Sequence, residues 1–407
     1  MVKMIEPELD KPTPEGQAGG MIKNSIREHL MVSSLVMKMN EAASLPTIMT
    51  LVDVTSCFDK VRMMDAVFEA ALANANSKVH QVLVNLMNET YIKINSDPIL
   101  RETIIKAILG QETNFAPKVI SLTIGKATDS SIPLSNCIKV RNASVPPREF
   151  MDDVKIFNKD TKTARLNGEI MSKTLDNLSL EANPKKSVAI ISGCDHVKVR
   201  AARKELEDDP IRLHGTPIKN AESEPYLGFS MHMDGLVQSI NQTVKLRTAR
   251  AWFRAVSIKS MVNHPALRNF GWFKVAVVLI QAILPPILAY SAEIWIGCPR
   301  YIIDRVEMAF KKMLFSVLEV PEHSKYAAVL MECGFLRMKH YIAKMQLNYV
   351  NQIVWEMQGT LVHQIMMEEF SILDERSTLA NADEIAISCN IPPSFRFLFT
   401  RSASKAW

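Results

Sequence analysis

The sequence contains little cysteine, and its cysteines form no recognisable pattern. Six cysteines occur among 407 residues, with neither close pairs nor the spacing of zinc ligands. We therefore expect the protein to work in a reducing compartment. The six are Cys57, Cys137, Cys194, Cys298, Cys333 and Cys389.

The amino-terminal residues lack an apolar targeting core, so we expect an intracellular protein, cytoplasmic or nuclear, and not a secreted one. One uncharged apolar run, Val275–Ala292, reaches membrane-spanning length. Gln281 and the pair Pro285 and Pro286 argue against a membrane span. We expect a buried helix that ends at the prolines, and no membrane partner.

Strong charge of either sign is also absent. The chain has 48 basic and 43 acidic residues and a formal net charge of +5. Nucleic-acid binding would therefore depend on local clusters of basic residues. With 47% hydrophobic residues and no internal repeat or low-complexity tract, the chain can bury a core large enough for two or three subdomains.

One basic cluster lies in the segment VKLRTARAWFRAVSIKS. Arg247, Arg250 and Arg254 recur at helical spacing, with Trp252 and Phe253 between them. A surface that follows a nucleic-acid backbone and the solvated face of an amphipathic helix both fit this pattern.

The adjacent acids Asp152 and Asp153 lie in SVPPREFMDDVKIF, between two short segments that both have strand character. Adjacent carboxylates in a poorly solvated turn repel each other, and a bound cation relieves that repulsion. Oxygen ligands favour Mg²⁺ or Mn²⁺. Pro146 and Pro147 precede the entering strand, a position that proline takes at a sheet edge or at the first residues of a strand.

A third acid, Asp53, follows the apolar run Ile48–Val52 and therefore lies at the carboxyl end of a predicted strand. Three carboxylates brought together would suit two-metal phosphoryl transfer, in which two ions stabilise the attacking and leaving oxygens. An isolated copy of any of these acids would more simply be a turn residue or a helix cap.

Seven motifs in one order resemble the reverse transcriptases, and most closely those of non-LTR (LINE-like) retrotransposons. They are QAGGMIKNSIREHL at 17–30, LVDVTSCFDKV at 51–61, ILGQET at 108–113, FMDD at 150–153, NPKKS at 183–187, EPYLGFSM at 224–231 and SAEIWIG at 291–297. The resemblance implies an RNA-directed DNA polymerase with two Mg²⁺ or Mn²⁺ ions. Its partners would be an RNA template, a DNA primer or RNA/DNA hybrid, and deoxynucleoside triphosphates; protein partners are not indicated.

The resemblance also implies roles for individual residues. The metal ligands would be Asp53, Asp152, Asp153 and the backbone carbonyl of Val54, with Lys186 as the catalytic cation that neutralises departing pyrophosphate. The nucleotide pocket would comprise Phe58 beneath the sugar, Gln111, and the triphosphate-binding turn of Thr55, Ser56 and Cys57. The primer-grip hairpin would be Tyr226, Leu227 and Gly228, and Arg247, Arg250 and Arg254 would contact the nucleic-acid backbone.

Two features depart from the family pattern. Glu112 follows Gln111 where the family has a small residue, normally glycine, that lets the backbone approach the nucleotide. Only about sixteen residues precede the first motif, so we expect an amino-terminally truncated chain. Catalytic activity is therefore left open.

The expected fold is α+β: a right-hand polymerase palm with partial fingers, followed by an all-α thumb and connector. We assign residues 1–45 to a leader and partial fingers, 46–235 to the palm, 236–355 to a helical thumb and 356–407 to a helical extension of unknown role. The predicted helices are 25–43, 61–72, 77–88, 241–261, 275–284, 301–318, 327–331 and 341–359, and the predicted strands include 48–52 and 187–191.

Three functions fit these observations. The first is an active reverse transcriptase. The second is a degenerate retroelement remnant that binds template and primer without extending it, and the third is a helical scaffold with a vestigial resemblance.

Overall fold

The computed structural model describes residues 25–55, 91–93, 102–104, 116–268, 271–389 and 391. The chain divides into two compact units, Met1–His29 with Ala43–Glu224, and Leu30–Ala42 with Pro225–Trp407. Strands concentrate in the first unit and helices in the second, so the expected α+β class is confirmed.

The helices of the described residues are α1 Ile26–Ala42, α2 Ala116–Ser131, α3 Thr161–Asn177, α4 His196–Asp208, α5 Leu236–Val262, α6 Pro265–Arg268, α7 Trp272–Leu288, α8 Arg300–Leu318, α9 Tyr326–Cys333, α10 Met338–Trp355, α11 Leu361–Leu373 and α12 Thr378–Ser388. The strands are β1 Thr47–Thr55, β2 Tyr91–Lys93, β3 Glu102–Ile104, β4 Lys139–Val140, β5 Ala143–Ser144, β6 Arg148–Phe150, β7 Asp153–Asn158, β8 Glu181–Ala182, β9 Val188–Ser192, β10 Arg212–Leu213, β11 Thr216–Pro217, β12 Lys219–Asn220, β13 Ser223–Tyr226 and β14 Phe229–His232.

The main sheet of the first unit has the order β12-β9-β1-β7-β6, and β8 pairs with the far end of β1. The pairings are antiparallel except for β12 with β9. Central β1 is an almost continuous apolar run that is buried on both faces, as expected for an inner strand. The short strand β6, which follows Pro146 and Pro147, forms one edge of the sheet.

Helices cover one face of this sheet. Side chains of β1, β7 and β9 share a core with Ala164, Met171 and Leu175 of α3 and with Val199 and Leu206 of α4. Within each helix these residues recur at spacings of four or seven, which places them on one helix face.

A chain of three amides, two of them buried, extends into the same core. Asn158 of β7 donates to the Thr50 hydroxyl at 2.9 Å, Asn167 donates to Asn158 at 2.9 Å, and Asn136 donates to Asn167 at 3.0 Å. Each amide thus finds a partner without water, and the bonds tie α3 to the middle of the sheet.

The second unit is helical except for the β13–β14 hairpin, within its described residues. Helix α5 packs against α7 and α8, and β14 lies along α5. The buried side of this part of α5 consists of small and branched side chains: Ala251, Ala255, Ile258 and Val262. Further along the chain, α10 packs against α8 and α12.

Helix α7 corrects one expectation. We predicted an end at the prolines, but the helix continues through Pro285 and Pro286 to Leu288. Proline has a φ compatible with a helix, although it lacks an N–H and crowds the preceding turn. The two prolines lie in the last turn, where the Ala289 N–H still donates to the Pro285 carbonyl at 2.9 Å. Among the helices of the described residues, none is both long and apolar enough to cross a bilayer.

Candidate active site

Asp53 and Asp153 are direct neighbours across the β1–β7 pairing. Both backbone groups of Asp53 point away from β7: its N–H donates to the Ser187 hydroxyl at 3.1 Å, and its carbonyl accepts the Asn183 N–H at 2.7 Å. The Asp53–Asp153 pair is therefore of the kind without mutual hydrogen bonds. Such pairs approach most closely, with Cα atoms about 4.5 Å apart, so the two carboxylates share one end of the sheet.

Asp152 reaches the same end through a tight turn. Only Met151 and Asp152 separate β6 from β7, and Phe150 pairs with Asp153. Met151 has φ of 58°, whereas Asp152 is not in the positive-φ region. A positive φ at the first central residue alone is typical of a type II′ turn, which normally places glycine there. A methionine in this conformation is strained, and strain of this kind is frequent at functional sites.

Burial and mutual repulsion raise the pKa of both turn acids. Burial chiefly raises the pKa of Asp153 to about 6, and the charges of Asp152 and Asp53 add to this. The pKa of Asp152 is also raised, mainly by burial and further by Asp53. The three acids thus act on one another electrostatically, and a cation beside them would favour their ionised forms.

The segment Asn183–Ser187 forms the other wall of the site. After β8 the chain turns sharply, and the Asn183 carbonyl accepts the N–H groups of Lys186 and Ser187. With two donors bound inside the turn, the Asn183 carbonyl does not serve as the acceptor for the Asp53 N–H. The fully buried Ser187 hydroxyl supplies the acceptor for the Asp53 N–H that a strand carbonyl would otherwise provide. Sequence reasoning missed Ser187 and Asn183 as residues that position Asp53.

Lys186 lies on the same segment. Its ammonium is 3.9 Å from an Asp53 carboxylate oxygen, and its side chain is 70% exposed. A loose, exposed ion pair contributes little to stability. The lysine nonetheless acts on the carboxylates, because its charge opposes the rise in the pKa of both Asp152 and Asp153.

Two buried basic side chains lie on the same face of the sheet as Asp153. Arg148 and Lys155 are cross-strand partners, and both are fully buried. Arg148 forms an ion pair with Glu28 at 3.6 Å, and the Lys155 ammonium is 5.1 Å from the centre of the Phe157 ring. Burial, with a smaller contribution from Arg148, holds the pKa of Lys155 well below its usual range. Sequence patterning missed both, because charged residues in a strand are normally assigned to the solvent side.

The donor chemistry of the site fits a hard divalent ion, since all three acids offer carboxylate oxygens. Within the part of the chain that the structure describes, however, no group of three or more His, Cys, Asp or Glu side chains is placed to hold a metal. The strand pairing brings Asp53 and Asp153 together, and Asp152 is adjacent in the chain.

Several expected nucleotide contacts lie outside the described residues: Ser56, Cys57, Phe58 and Gln111, and with them Glu112. Two other expected site residues, the metal ligand Val54 and the triphosphate contact Thr55, lie in β1. Val54 and Thr55 pair with β8, and the alternation of the strand directs the Val54 carbonyl away from β8.

The expected primer grip lies in the second unit. Leu227 and Gly228 are the two central residues of the β13–β14 hairpin, and Tyr226 beside them is buried. Of the three arginines predicted to follow nucleic acid, Arg250 and Arg254 are exposed on α5. Arg247 instead donates to the Gly228 carbonyl at 2.8 Å.

Comparisons with known proteins find similarity to solved structures and to no protein family or curated protein. No protein-family model matches the sequence, and no curated protein is significantly similar to it. The chain resembles telomerase from Candida albicans in complex with the TWJ fragment of telomeric RNA, with a TM-score of 0.43, 9% identity and coverage of 99% of this chain and 55% of that one. It also resembles apo telomerase from Candida tropicalis, with a TM-score of 0.43, 10% identity and coverage of 98% and 60%. The chain thus spans little more than half the length of these structures.

Proposed function

We propose that this chain is an RNA-directed DNA polymerase of the reverse-transcriptase type, derived from a non-LTR retrotransposon. One observation carries the proposal: Asp53 and Asp153 pair directly across two strands, with Asp152 in the adjoining turn. The ordered motifs predicted this convergence from segments about one hundred residues apart, and the strand register is consistent with it.

Asp53, Asp152 and Asp153 are the residues that would hold two Mg²⁺ or Mn²⁺ ions, with the Val54 carbonyl as a further ligand. The ions would supply Lewis-acid stabilisation of the attacking and leaving oxygens. The protein's own part is to hold the carboxylates in register. Ser187 and Asn183 do this by hydrogen-bonding both backbone groups of Asp53.

Lys186 is suited to the pyrophosphate side of the reaction. Its exposed ammonium lies at the rim of the carboxylates, where a cation stabilises negative charge on the departing oxygens. An ammonium that is already close to the carboxylates but mostly solvated can move to the phosphate without leaving a buried charge unpaired.

In the second unit, α5 offers a surface for the sugar-phosphate backbone of a template and primer. Arg250 and Arg254 are exposed and flank Phe253, whose side chain is 70% exposed. Arginines beside an exposed aromatic ring are a frequent combination in nucleic-acid contacts. Binding through this surface should weaken as salt rises.

The test is Mg²⁺-dependent extension of a DNA primer on an RNA template. We expect extension by the wild-type chain and its loss in Asp153→Asn, because the amide cannot take the place of a carboxylate ligand. Asp208→Asn is the matched control, since Asp208 is exposed at the end of α4. A wild-type chain that binds the hybrid but extends no primer would refute the proposal.

A second function is a degenerate retroelement protein that binds nucleic acid without extending it. Glu112 in the second palm motif, where the family pattern has a small residue, favours it. Salt-sensitive binding of an RNA/DNA hybrid without extension would support this function. If binding of the hybrid is absent or does not depend on salt, the remaining interpretation is a helical scaffold.

A further inference from the structure

The β13–β14 turn has a demanding backbone conformation. Its two central residues, Leu227 and Gly228, both have positive φ, 49° and 76°. Two positive φ values in a two-residue hairpin indicate a type I′ turn, which asparagine and glycine fill most easily. Leucine is unfavourable at such a position, so the surrounding structure must hold the turn.

Two side chains from distant parts of the chain occupy both carbonyls of this turn. The Tyr290 hydroxyl donates to the Leu227 carbonyl, and Arg247 donates to the Gly228 carbonyl at 2.8 Å. The two side chains also contact each other, because the Arg247 guanidinium lies 3.7 Å from the centre of the Tyr290 ring. Together they form a stacked clamp over the turn.

The clamp is tightly packed. A Cβ atom on Gly228 would lie 2.3 Å from the Arg247 guanidinium and 3.3 Å from the Tyr290 ring. Partial burial agrees with this packing: it raises the pKa of Tyr290 and lowers that of Arg247. A side chain at this position would therefore displace the Arg247 guanidinium from the turn.

The rest of the hairpin is bound to the same helix as Arg247. On β14, the Ser230 N–H donates to the Thr243 hydroxyl at 2.8 Å, and the His232 N–H donates to the Ser239 hydroxyl at 2.9 Å. Arg247 lies one turn beyond Thr243 on α5. Ser239, Thr243 and Arg247, on successive turns of α5, therefore bind the hairpin backbone from β14 to the turn.

We propose that Arg247 and Tyr290 are positioning residues that hold the Leu227–Gly228 turn in the geometry that aligns a primer's 3′ end. The inference rests on the proposed polymerase function, and it deepens that function by giving a role to Tyr290, which directly precedes the SAEIWIG motif. Alignment of the primer hydroxyl is a large part of what a polymerase contributes, so a displaced turn should lower turnover.

This role also separates Arg247 from its neighbours on the helix. Its guanidinium is engaged with a carbonyl and a ring, whereas Arg250 and Arg254 point into solvent. A phosphate contact predicts weaker binding when Arg247 is changed, whereas a positioning role predicts slower turnover with binding retained.

The experiment compares four chains: wild type, Tyr290→Phe, Arg247→Lys and the control Arg300→Lys, since the Arg300 side chain is 87% exposed at the start of α8. Tyr290→Phe removes only the hydroxyl, and Arg247→Lys retains the charge but loses the planar stacking group. Hydrogen exchange is measured for the peptide 224–232. We expect exchange about three- to tenfold faster in the first two variants, as the loss of one hydrogen bond predicts, and unchanged exchange in the control.

Primer extension is measured on the same four chains. We expect Tyr290→Phe and Arg247→Lys to lower kcat while KM for the template-primer stays within about twofold, a pattern typical of a misaligned but bound substrate. Unchanged exchange in both variants would overturn the inference, and so would a raised KM with normal kcat. If the wild-type chain extends no primer, the proposed function fails, while hydrogen exchange still decides whether the clamp holds the turn.

Discussion

Removing the Ser187 hydroxyl tests how the site holds Asp53. In Ser187→Ala the Asp53 N–H loses its acceptor, because the Asn183 carbonyl that could replace it already binds two other N–H groups. Ser187 is fully buried, so water cannot easily fill the gap. A buried donor left without a partner costs about 1–3 kcal/mol.

The expected loss is large enough to measure. For a domain of 150–250 residues, each kcal/mol lowers Tm by about 2–4 °C. Thermal and denaturant unfolding give the change in stability, and hydrogen exchange resolved at the Asp53 amide shows whether the loss is local. Ser130→Ala is the control, since Ser130 is exposed and its hydroxyl donates to the Ala127 carbonyl of its own helix.

The variant should also slow any primer extension more than it weakens hybrid binding, because Asp53 would shift relative to Asp153. Stability within about 0.5 kcal/mol of wild type, together with unchanged exchange at Asp53, would refute the view that Ser187 holds this strand end.

Three further predictions concern other parts of the chain. Glu149 is fully buried, and burial holds the pKa of its carboxyl well above the usual range. The folded state therefore favours the protonated form, and stability falls as pH rises through that pKa. Glu149→Gln should raise Tm at pH 8 relative to wild type but not at pH 4. Glu369→Ala should lower the free energy of unfolding, measured with denaturant, by about 3–5 kcal/mol, because buried Glu369 accepts the Thr378 N–H and pairs with Lys38 at 2.8 Å. Glu369→Gln should lower it less, since the amide oxygen still accepts that N–H. Gly168→Ala should lower Tm although alanine is favoured over glycine in a helix by about 1 kcal/mol, because the new Cβ would lie 2.9 Å from the Arg212 carbonyl oxygen of β10. An unchanged Tm would show that β10 moves aside.

The sequence was sufficient for the elements with strong patterns. The apolar run before Asp53 predicted β1, and the paired prolines predicted an edge position or a strand start for β6. The five helices predicted after residue 240 are present, with ends that differ by a few residues. Periodic burial determines these features, and a single sequence displays it directly.

The contacts that hold the site could not be predicted in this way. Ser187 and Asp53 are 134 residues apart, and Tyr290 and Leu227 are 63 apart. Each pair joins a side chain to a backbone group, so neither hydrophobic periodicity nor charge spacing carries a signal for it. The buried pair Arg148 and Lys155 was missed for a different reason, since like charges opposite each other in a core contradict the usual pattern.

The arginines of α5 show where a periodic pattern stops being informative. Arg247 and Arg254 are seven residues apart, so they face nearly the same way but lie about 10 Å apart along the axis. Only Arg247 is level with the hairpin turn, and it is the one whose guanidinium is engaged. A shared helix face therefore does not imply a shared partner. Neutralising Arg254 should reduce the salt dependence of hybrid binding and leave the turn in place, whereas changing Arg247 should disturb the turn first.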